Sequence, residues 1–394
     1  MISNRELFLN YLGQTSQSPY LLEIESANGI YLIGPDKKKY IDLISGVSVS
    51  CLGHNFPPIK KAIEEQVQKH LHLMVYGEFI QSPQVKLAEY LVKLLPQEIN
   101  SVYLVNSGSE AIEGAVKLAK RYTGKTKMCS FVNAYHGSSH AALSLCGNED
   151  FKKSFRPLLP EVYILRIDNY EDLNIIDQDT ACVVIEPIQA EAGIIIPDKK
   201  WFKELETKCK QNGTLLIIDE VQTGFGRTGK MFGFQHFEIT PDIICFAKAL
   251  GGGMPIGAFA APKKIMHSFT TNPILGHITT FGGHPVSAAA ALAFLQHLTQ
   301  SHIIEEVEEK EKLFRENLKH PKIKDIRGKG LLLAVEIENF DMVLKLVKQG
   351  LKDGFVTDWF IFHDSAFRIA PPLNITKEEI LLTSKLIIES LNKI

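Results

Sequence analysis

TLLIIDEVQTGFGRTGKMFGFQHFEITPDIICFAK, Thr214–Lys248, holds two short apolar runs, each ending on charged side chains. Leu215–Ile218 stops at Asp219 and Glu220, and Ile243–Phe246 stops at Ala247 and Lys248. Short β-branched runs bounded by turn residues read as buried strands of a parallel sheet. Ligands of open α/β sheets bind beyond the carboxyl ends of such strands. Asp219 and Lys248 are therefore expected to meet one ligand from neighbouring strands. Taken singly, a lysine after a strand is a surface residue and an aspartate there is a helix cap. The sequel to the lysine, Ala249–Gly257 (ALGGGMPIG), weakens that view, because it carries little bulk and lets backbone approach a flat group. A lysine in an apolar, glycine-lined pocket loses hydration, its pKa falls, and its amine becomes a competent nucleophile. Schiff-base chemistry is the expected use.

Outward from this stretch, strands and helices alternate. Val102–Val105, Met128–Val132 and Cys182–Ile185 read as strands; Ser109–Tyr122, Trp201–Gln211 and Pro285–Thr299 read as helices. The alternation predicts an α/β fold with a large, mostly parallel sheet covered on both faces. Residues 55–300 are expected to form that domain. Residues 1–54 and 301–394, where further strands and amphipathic helices appear, are expected to form a small α+β domain from both chain ends. The 394 residues are 45% hydrophobic and 22% charged, with a net charge of −2 and no polybasic tract, which argues against a nucleic-acid or anionic-membrane partner. No apolar run approaches membrane-spanning length, and MISNRELFLNYLGQTSQ lacks the layout of a signal peptide. Six scattered cysteines without C-x-x-C pairs suit reduced core thiols, so a soluble, cytoplasmic protein is expected.

Three further strand ends carry candidate chemistry. Asn106–Glu110 (NSGSE) opens a helix, whose free N–H groups and dipole suit a phosphate; a plain capped helix explains it equally well. Tyr135-His136-Gly137 places an aromatic where it could stack on a planar ring, or merely pack in a turn. Glu186 and Glu191 bracket a loop of small residues that suits an active site or a solvated surface. HGSSH (His136–His140) lacks the glutamate of a zinc-binding H-E-x-x-H helix, so no metal is expected. Gly224–Gly229 (GFGRTG) matches G-x-G-x-x-G but leads into KMFGFQHF rather than an amphipathic helix, which counts against a dinucleotide enzyme.

In this order the pieces resemble the class III aminotransferases, the pyridoxal-phosphate family that includes acetylornithine, ornithine and 4-aminobutyrate aminotransferases. The resemblance runs from GIYLIGPDKKKYIDLISG (Gly29–Gly46) to RIAPPLNIT (Arg368–Thr376) and is densest in IIDEVQTGFGRTG and PDIICFAKALGGGMPIGA. It implies fold type I, covalently bound pyridoxal 5'-phosphate, and a homodimer with shared active sites. By the same resemblance Lys248 is the Schiff-base lysine and Asp219 the partner of the pyridine nitrogen. Gly108 and Ser109 hold the phosphate, Tyr135 stacks on the ring, Val221 lies on its other face and Gln222 bonds the ring hydroxyl. Glu186 belongs to the network around the ring, and Thr280 reaches the neighbouring subunit's phosphate.

Glu191 and Arg368 match a pair found in members that use an ω-amino donor and 2-oxoglutarate. The arginine can grip an α-carboxylate bidentately and the glutamate can mask it. The expected reaction is therefore ping-pong transfer from an acetylornithine- or ornithine-like donor to 2-oxoglutarate. Many members carry an arginine directly after the aromatic-His-Gly motif; here that position is Ser138. Loss of such a clamp costs on the order of 2–5 kcal/mol against a buried carboxylate. Arg156 or Arg227 could stand in, or the donor could lack a distal carboxylate, as a diamine does. Val47 stands where ornithine-specific members carry an aromatic, which implies a roomier pocket. A diamine or other ω-amine transaminase, an aminomutase, and a non-catalytic binding protein on the same scaffold remain open alternatives.

Overall fold

The computed structural model describes residues 2–75 and 77–394. The chain opens with β1 (Ser26–Asn28), β2 (Tyr31–Ile33) and β3 (Lys39–Asp42). Its middle supplies β4 (Ser101–Val105), β5 (Lys127–Phe131), β6 (Val162–Leu165), β7 (Thr180–Ile185), β8 (Leu215–Asp219), β9 (Ile243–Phe246) and β10 (Gly257–Ala261). Toward the C-terminus come β11 (Asp325–Lys329), β12 (Leu332–Glu336), β13 (Phe355–Val356), β14 (Trp359–Phe360) and β15 (His363–Ile369).

The middle strands form one sheet in the order β4-β10-β9-β8-β7-β5-β6. Neighbours from β9 to β6 are parallel, whereas β10 runs antiparallel to both β4 and β9. Alternate residues of each strand enter different layers: Leu216 and Ile218 join one core cluster, Leu215 and Ile217 the other. Every residue of β7, β8 and β9 is buried, which is why these strands read as continuous apolar runs.

Neither β6 nor β10 leaves a clear strand pattern in the sequence. The first is a four-residue edge strand with two half-buried positions, too short for its pattern to stand out. The second, GAFAA, continues a glycine-rich turn and owes its strand conformation to being inserted between two other strands. Gly257 begins it because a Cβ there would lie 2.2 Å from the Ser107 carbonyl oxygen.

Helix Gly108–Thr123 covers one face of this sheet. Ser107 caps it by accepting from the Glu110 N–H, and Gly124 ends it in the left-handed region. On the opposite layer, helix Lys199–Asn212 buries Trp201, Phe202 and Leu205. Two smaller sheets flank the large one. In the first, β1-β2-β3 pair antiparallel and β13 joins β3 in parallel, so both ends of the chain contribute. The second, β11-β12-β15-β14, is antiparallel and carries Arg368 opposite Ala334. Among the described residues no helix is long and apolar enough to cross a membrane. All six cysteines are buried and unpaired.

Gly114 shows how closely helix and sheet fit, since a Cβ there would stand 2.3 Å from Phe259 Cε1 of β10. Phe259 is fully buried and cannot yield. Gly114→Ala is therefore expected to lower stability by about 1–3 kcal/mol through overpacking. A fall in melting temperature against wild type checks this; an unchanged value would contradict the packing described.

Candidate active site

Beyond the carboxyl ends of β8 and β9 lies a cavity of about 460 Å³. Its floor and walls include Asp219, Val221 and Gln222 after β8, Ala247 and Lys248 after β9, and Ser107–Ser109 at the start of helix Gly108–Thr123. Tyr135, His136 and Gly137 after β5 and Glu186 after β7 complete the near wall, with Met254–Ile256 above. Asp219 stands in register with Cys245 of the adjacent parallel strand, so the two chain segments leave the sheet side by side.

Delivering the lysine strains the backbone. Lys248 has φ of 48°, in the left-handed region that costs a non-glycine residue roughly 1–2 kcal/mol. Turn hydrogen bonds from Leu250 N to Ala247 O and from Gly252 N to Ala249 O hold the segment in place. The amine donates to Gln222 Oε1 at 2.7 Å. Burial pushes its pKa below the usual lysine range, against the attraction of Glu191, so the neutral amine is favoured more than in water. Residual exposure of Lys248 reflects its opening onto the cavity.

Asp219 is held from two sides. Its Oδ1 accepts from Val221 N at 3.0 Å, and its Oδ2 lies 2.7 Å from His136 Nδ1. A carboxylate oxygen accepts, so Nδ1 is the donor. His136 Nε2 faces Ser130 Oγ at 3.3 Å, which lets both ring nitrogens donate. Complete burial opposes charge on this imidazole, yet Asp219, helped by Glu186, lifts its pKa above the ordinary value. Glu186 accepts from Tyr135 N and Ala190 N, and burial raises its carboxyl to about 7. Glu220, next to Asp219 in sequence, plays a different part: it is not among the cavity-lining residues and accepts from Thr223 Oγ1, Gly233 N and Phe234 N, closing the GFGRTG loop.

A second set of charges adjoins the cavity through one amide. Gln222 Nε2 donates to Glu191 Oε1 at 3.3 Å, and Glu191 is engaged by Arg368 through two 3.0 Å bonds, Nη1 to Oε1 and Nη2 to Oε2. Both side chains are almost wholly buried. Burial works against the Glu191 charge, but Arg368 holds its pKa below the usual carboxylate range. Glu191 and Arg368 thus stand behind Gln222 rather than among the cavity-lining residues.

Of the residues singled out from sequence, Lys248, Asp219, Gly108, Ser109, Tyr135, Glu186, Val221 and Gln222 all line the cavity. Thr280 does not; it is exposed on the surface. At the position assigned to Val47 the wall is formed by Val49 instead. Ser45–Ser48 make a left-handed turn, with φ between 53° and 63°, directly ahead of Val49. Asp42 Oδ1 braces the turn locally by accepting from Ile44 N and Ser45 N, and Ser45 Oγ ties it to the distant Ala370 carbonyl, a demand that local residue preferences do not reveal. His136 was noticed only as a poor metal ligand; its partner Asp219 lies 83 positions away, on a strand that β7 separates from β5.

The chain matches the aminotransferase class-III family over residues 12–391. It is 38% identical over 341 residues to the acetylornithine aminotransferase of Methanopyrus kandleri, covering 84% of this chain and 85% of that one. Its fold matches the ornithine aminotransferase of Toxoplasma gondii with a TM-score of 0.91 and 28% identity, over 100% of this chain and 96% of the other. The omega transaminase of Pseudomonas jessenii superposes with a TM-score of 0.92 at 26% identity, over 100% and 98%. The chain belongs to the class-III aminotransferases and is a pyridoxal-phosphate-dependent transaminase.

The cavity suits that cofactor. A Cβ at Gly137 would fall 2.0 Å from Ser109 Oγ and one at Gly108 2.9 Å from Val221 Cγ1, so bare backbone is required where the helix start meets the cavity. A helix N-terminus for an anion, a buried carboxylate for a ring nitrogen and an amine of lowered pKa for a carbonyl are all present.

The His136–Asp219 pair makes stability depend on pH. A histidine whose folded pKa is raised contributes fully below its unfolded value near 6.5, and the contribution is lost as pH rises through the folded value. His136→Gln is expected to cost about 3–5 kcal/mol at pH 6 by orphaning a buried carboxylate. The gap to wild type should narrow toward alkaline pH in thermal melts; a gap constant from about pH 6 to 10 would refute a charged His136.

Proposed function

We propose that the chain moves an amino group from an ω-amino donor of acetylornithine or ornithine type to 2-oxoglutarate, by a ping-pong sequence. The observation that carries this reading is the buried Arg368–Glu191 pair one amide away from the Lys248 amine. One site must accept two substrates in turn, only one of which presents an α-carboxylate near the reacting nitrogen. With Glu191 on Arg368 the region offers no free cation to an ω-amine. With Glu191 displaced, the guanidinium fork can take a carboxylate in the same geometry.

In this reading Lys248 would hold the cofactor through its amine, and a neutral Nζ would serve as the base for the proton on the substrate's amine-bearing carbon. Bound pyridoxal phosphate supplies the electron sink that makes this proton removable. Asp219, held in place by His136 and Val221 N, would pair with the ring nitrogen. Tyr135 and Val221 would flank the ring, Gln222 would bond its hydroxyl, and Glu186 steadies the Tyr135 backbone. Gly108 and Ser109 would hold the phosphate. We assign Thr280 to the phosphate site of a second copy in a homodimer. Its exposure supports this, as does that of Ile278 at 50% and Phe281 at 53% beside it. We draw the large domain at 55–300 and the small one from 1–54 and 301–394, and place the protein in the cytoplasm, which suits six unpaired buried thiols.

One observation favours a second donor class, a diamine or other ω-amine without a distal carboxylate. Ser138 bonds only neutrally, its Oγ 3.2 Å from Tyr135 Oη. Neither arginine that could replace a clamp there is free. Arg156 is engaged by Glu149, and Arg227 is fully buried on the carbonyls of Leu331 and Pro371.

Lys248→Ala is expected to reduce turnover by about 10²–10⁴-fold or more. Borohydride should then no longer fix the cofactor to the chain, as read by intact mass; retained fixation would refute the assignment. Arg368→Ala should weaken 2-oxoglutarate by an amount on the order of 2–5 kcal/mol in KM. Single half-reactions with N-acetylornithine, ornithine and diamines, followed spectrally, decide the donor. Preference for diamines favours the second class; faster reaction with N-acetylornithine favours the first.

A further inference from the structure

Arg368 is held by a second carboxylate besides the one it is expected to exchange. Glu191 spans Nη1 and Nη2, the end of the guanidinium that an incoming carboxylate would need. Asp358 takes the side edge instead: Arg368 Nε donates to its Oδ1 at 2.9 Å. Backbone bonds reinforce this placement, since Arg368 N donates to Asp358 O at 2.9 Å and Thr357 Oγ1 donates to Arg368 O at 2.6 Å. The Phe360 ring lies 4.7 Å from the guanidinium carbon, and a 3.4 Å contact joins Nη2 to Trp359 O. Asp358 keeps 22% of its side chain exposed, whereas Arg368 keeps 2% and Glu191 4%.

These contacts divide the guanidinium into an exchangeable end and a fixed edge. When Glu191 leaves, its two bonds go, and what remains on the end is one long contact to a carbonyl. Rotation of the planar group about Cδ–Nε would then turn the fork away from the site. The Nε bond to Asp358 opposes that rotation without occupying either Nη position. We propose that Asp358 is a positioning residue for carboxylate exchange, keeping the Arg368 fork aimed at the site after Glu191 has left. This rests on reading Arg368 as the α-carboxylate clamp and adds the residue that makes the clamp reusable.

Glutarate, a dicarboxylate with no amino or oxo group to react, serves as the binding probe on the purified holoenzyme by calorimetry. Asp358→Ala is expected to weaken glutarate at least tenfold and to raise KM for glutamate and 2-oxoglutarate similarly. Asp358→Asn, which still offers Oδ1 to Nε, should stay within threefold of wild type. The half-reaction of an amine lacking an α-carboxylate should change less than twofold in either variant, with melting temperatures confirming that both fold. Glutarate binding unchanged in Asp358→Ala, an equal loss with the carboxylate-free amine, or an Asn variant as poor as the Ala variant each overturns the role. Arg368→Ala separates the two levels: if it also binds glutarate normally, the clamp reading fails, whereas loss there alone sinks only Asp358.

Discussion

Burying charge is expensive unless each charge has a partner, and that cost organises the whole site. Lys248 meets it by tending toward neutrality, Asp219 by its short bond to His136, and Arg368 by two carboxylates. Each solution leaves the group fit for a different task. A neutral amine can attack or accept a proton, a carboxylate fixed by a bonded imidazole can pair with a ring nitrogen, and a paired guanidinium can trade one anion for another. Parallel strands covered on both faces deliver Lys248 and Asp219, and the antiparallel strand β15 delivers Arg368.

Backbone strain forms the second layer of the design. Lys248 and the turn Ser45–Ser48 sit in the left-handed region and flank the same cavity, through Lys248 itself and through Val49. Such conformations persist only where surrounding bonds over-determine them. At the turn this falls to Asp42 and to Ser45 Oγ, which donates to Ala370 O from the far end of the chain. Residues near both termini thereby shape a site whose reactive groups come from the middle.

Gln222 joins the two charge systems. Its oxygen accepts from the lysine amine and its nitrogen donates to Glu191, so the reacting centre and the carboxylate gate share one side chain. The amide makes both bonds at once, its oxygen toward the lysine and its nitrogen toward the glutamate.

Much of this was legible in the order of residues. Apolar runs ending on Asp219 and Lys248 indicated a parallel sheet with its ligand at the strand ends, because strand burial imprints itself on local composition. The glycines around Lys248 and at the Asn106–Glu110 helix start showed where backbone must come close. Motif resemblance then named the chemistry. Only the tertiary structure decided that β10 enters the sheet antiparallel, that Val49 lines the cavity, and that His136 and Asp358 partner Asp219 and Arg368. The His136 pairing spans many positions and the other outcomes hinge on a φ angle or on strand insertion. Such outcomes arise from packing of the whole chain, and a local pattern of residue types carries no record of them.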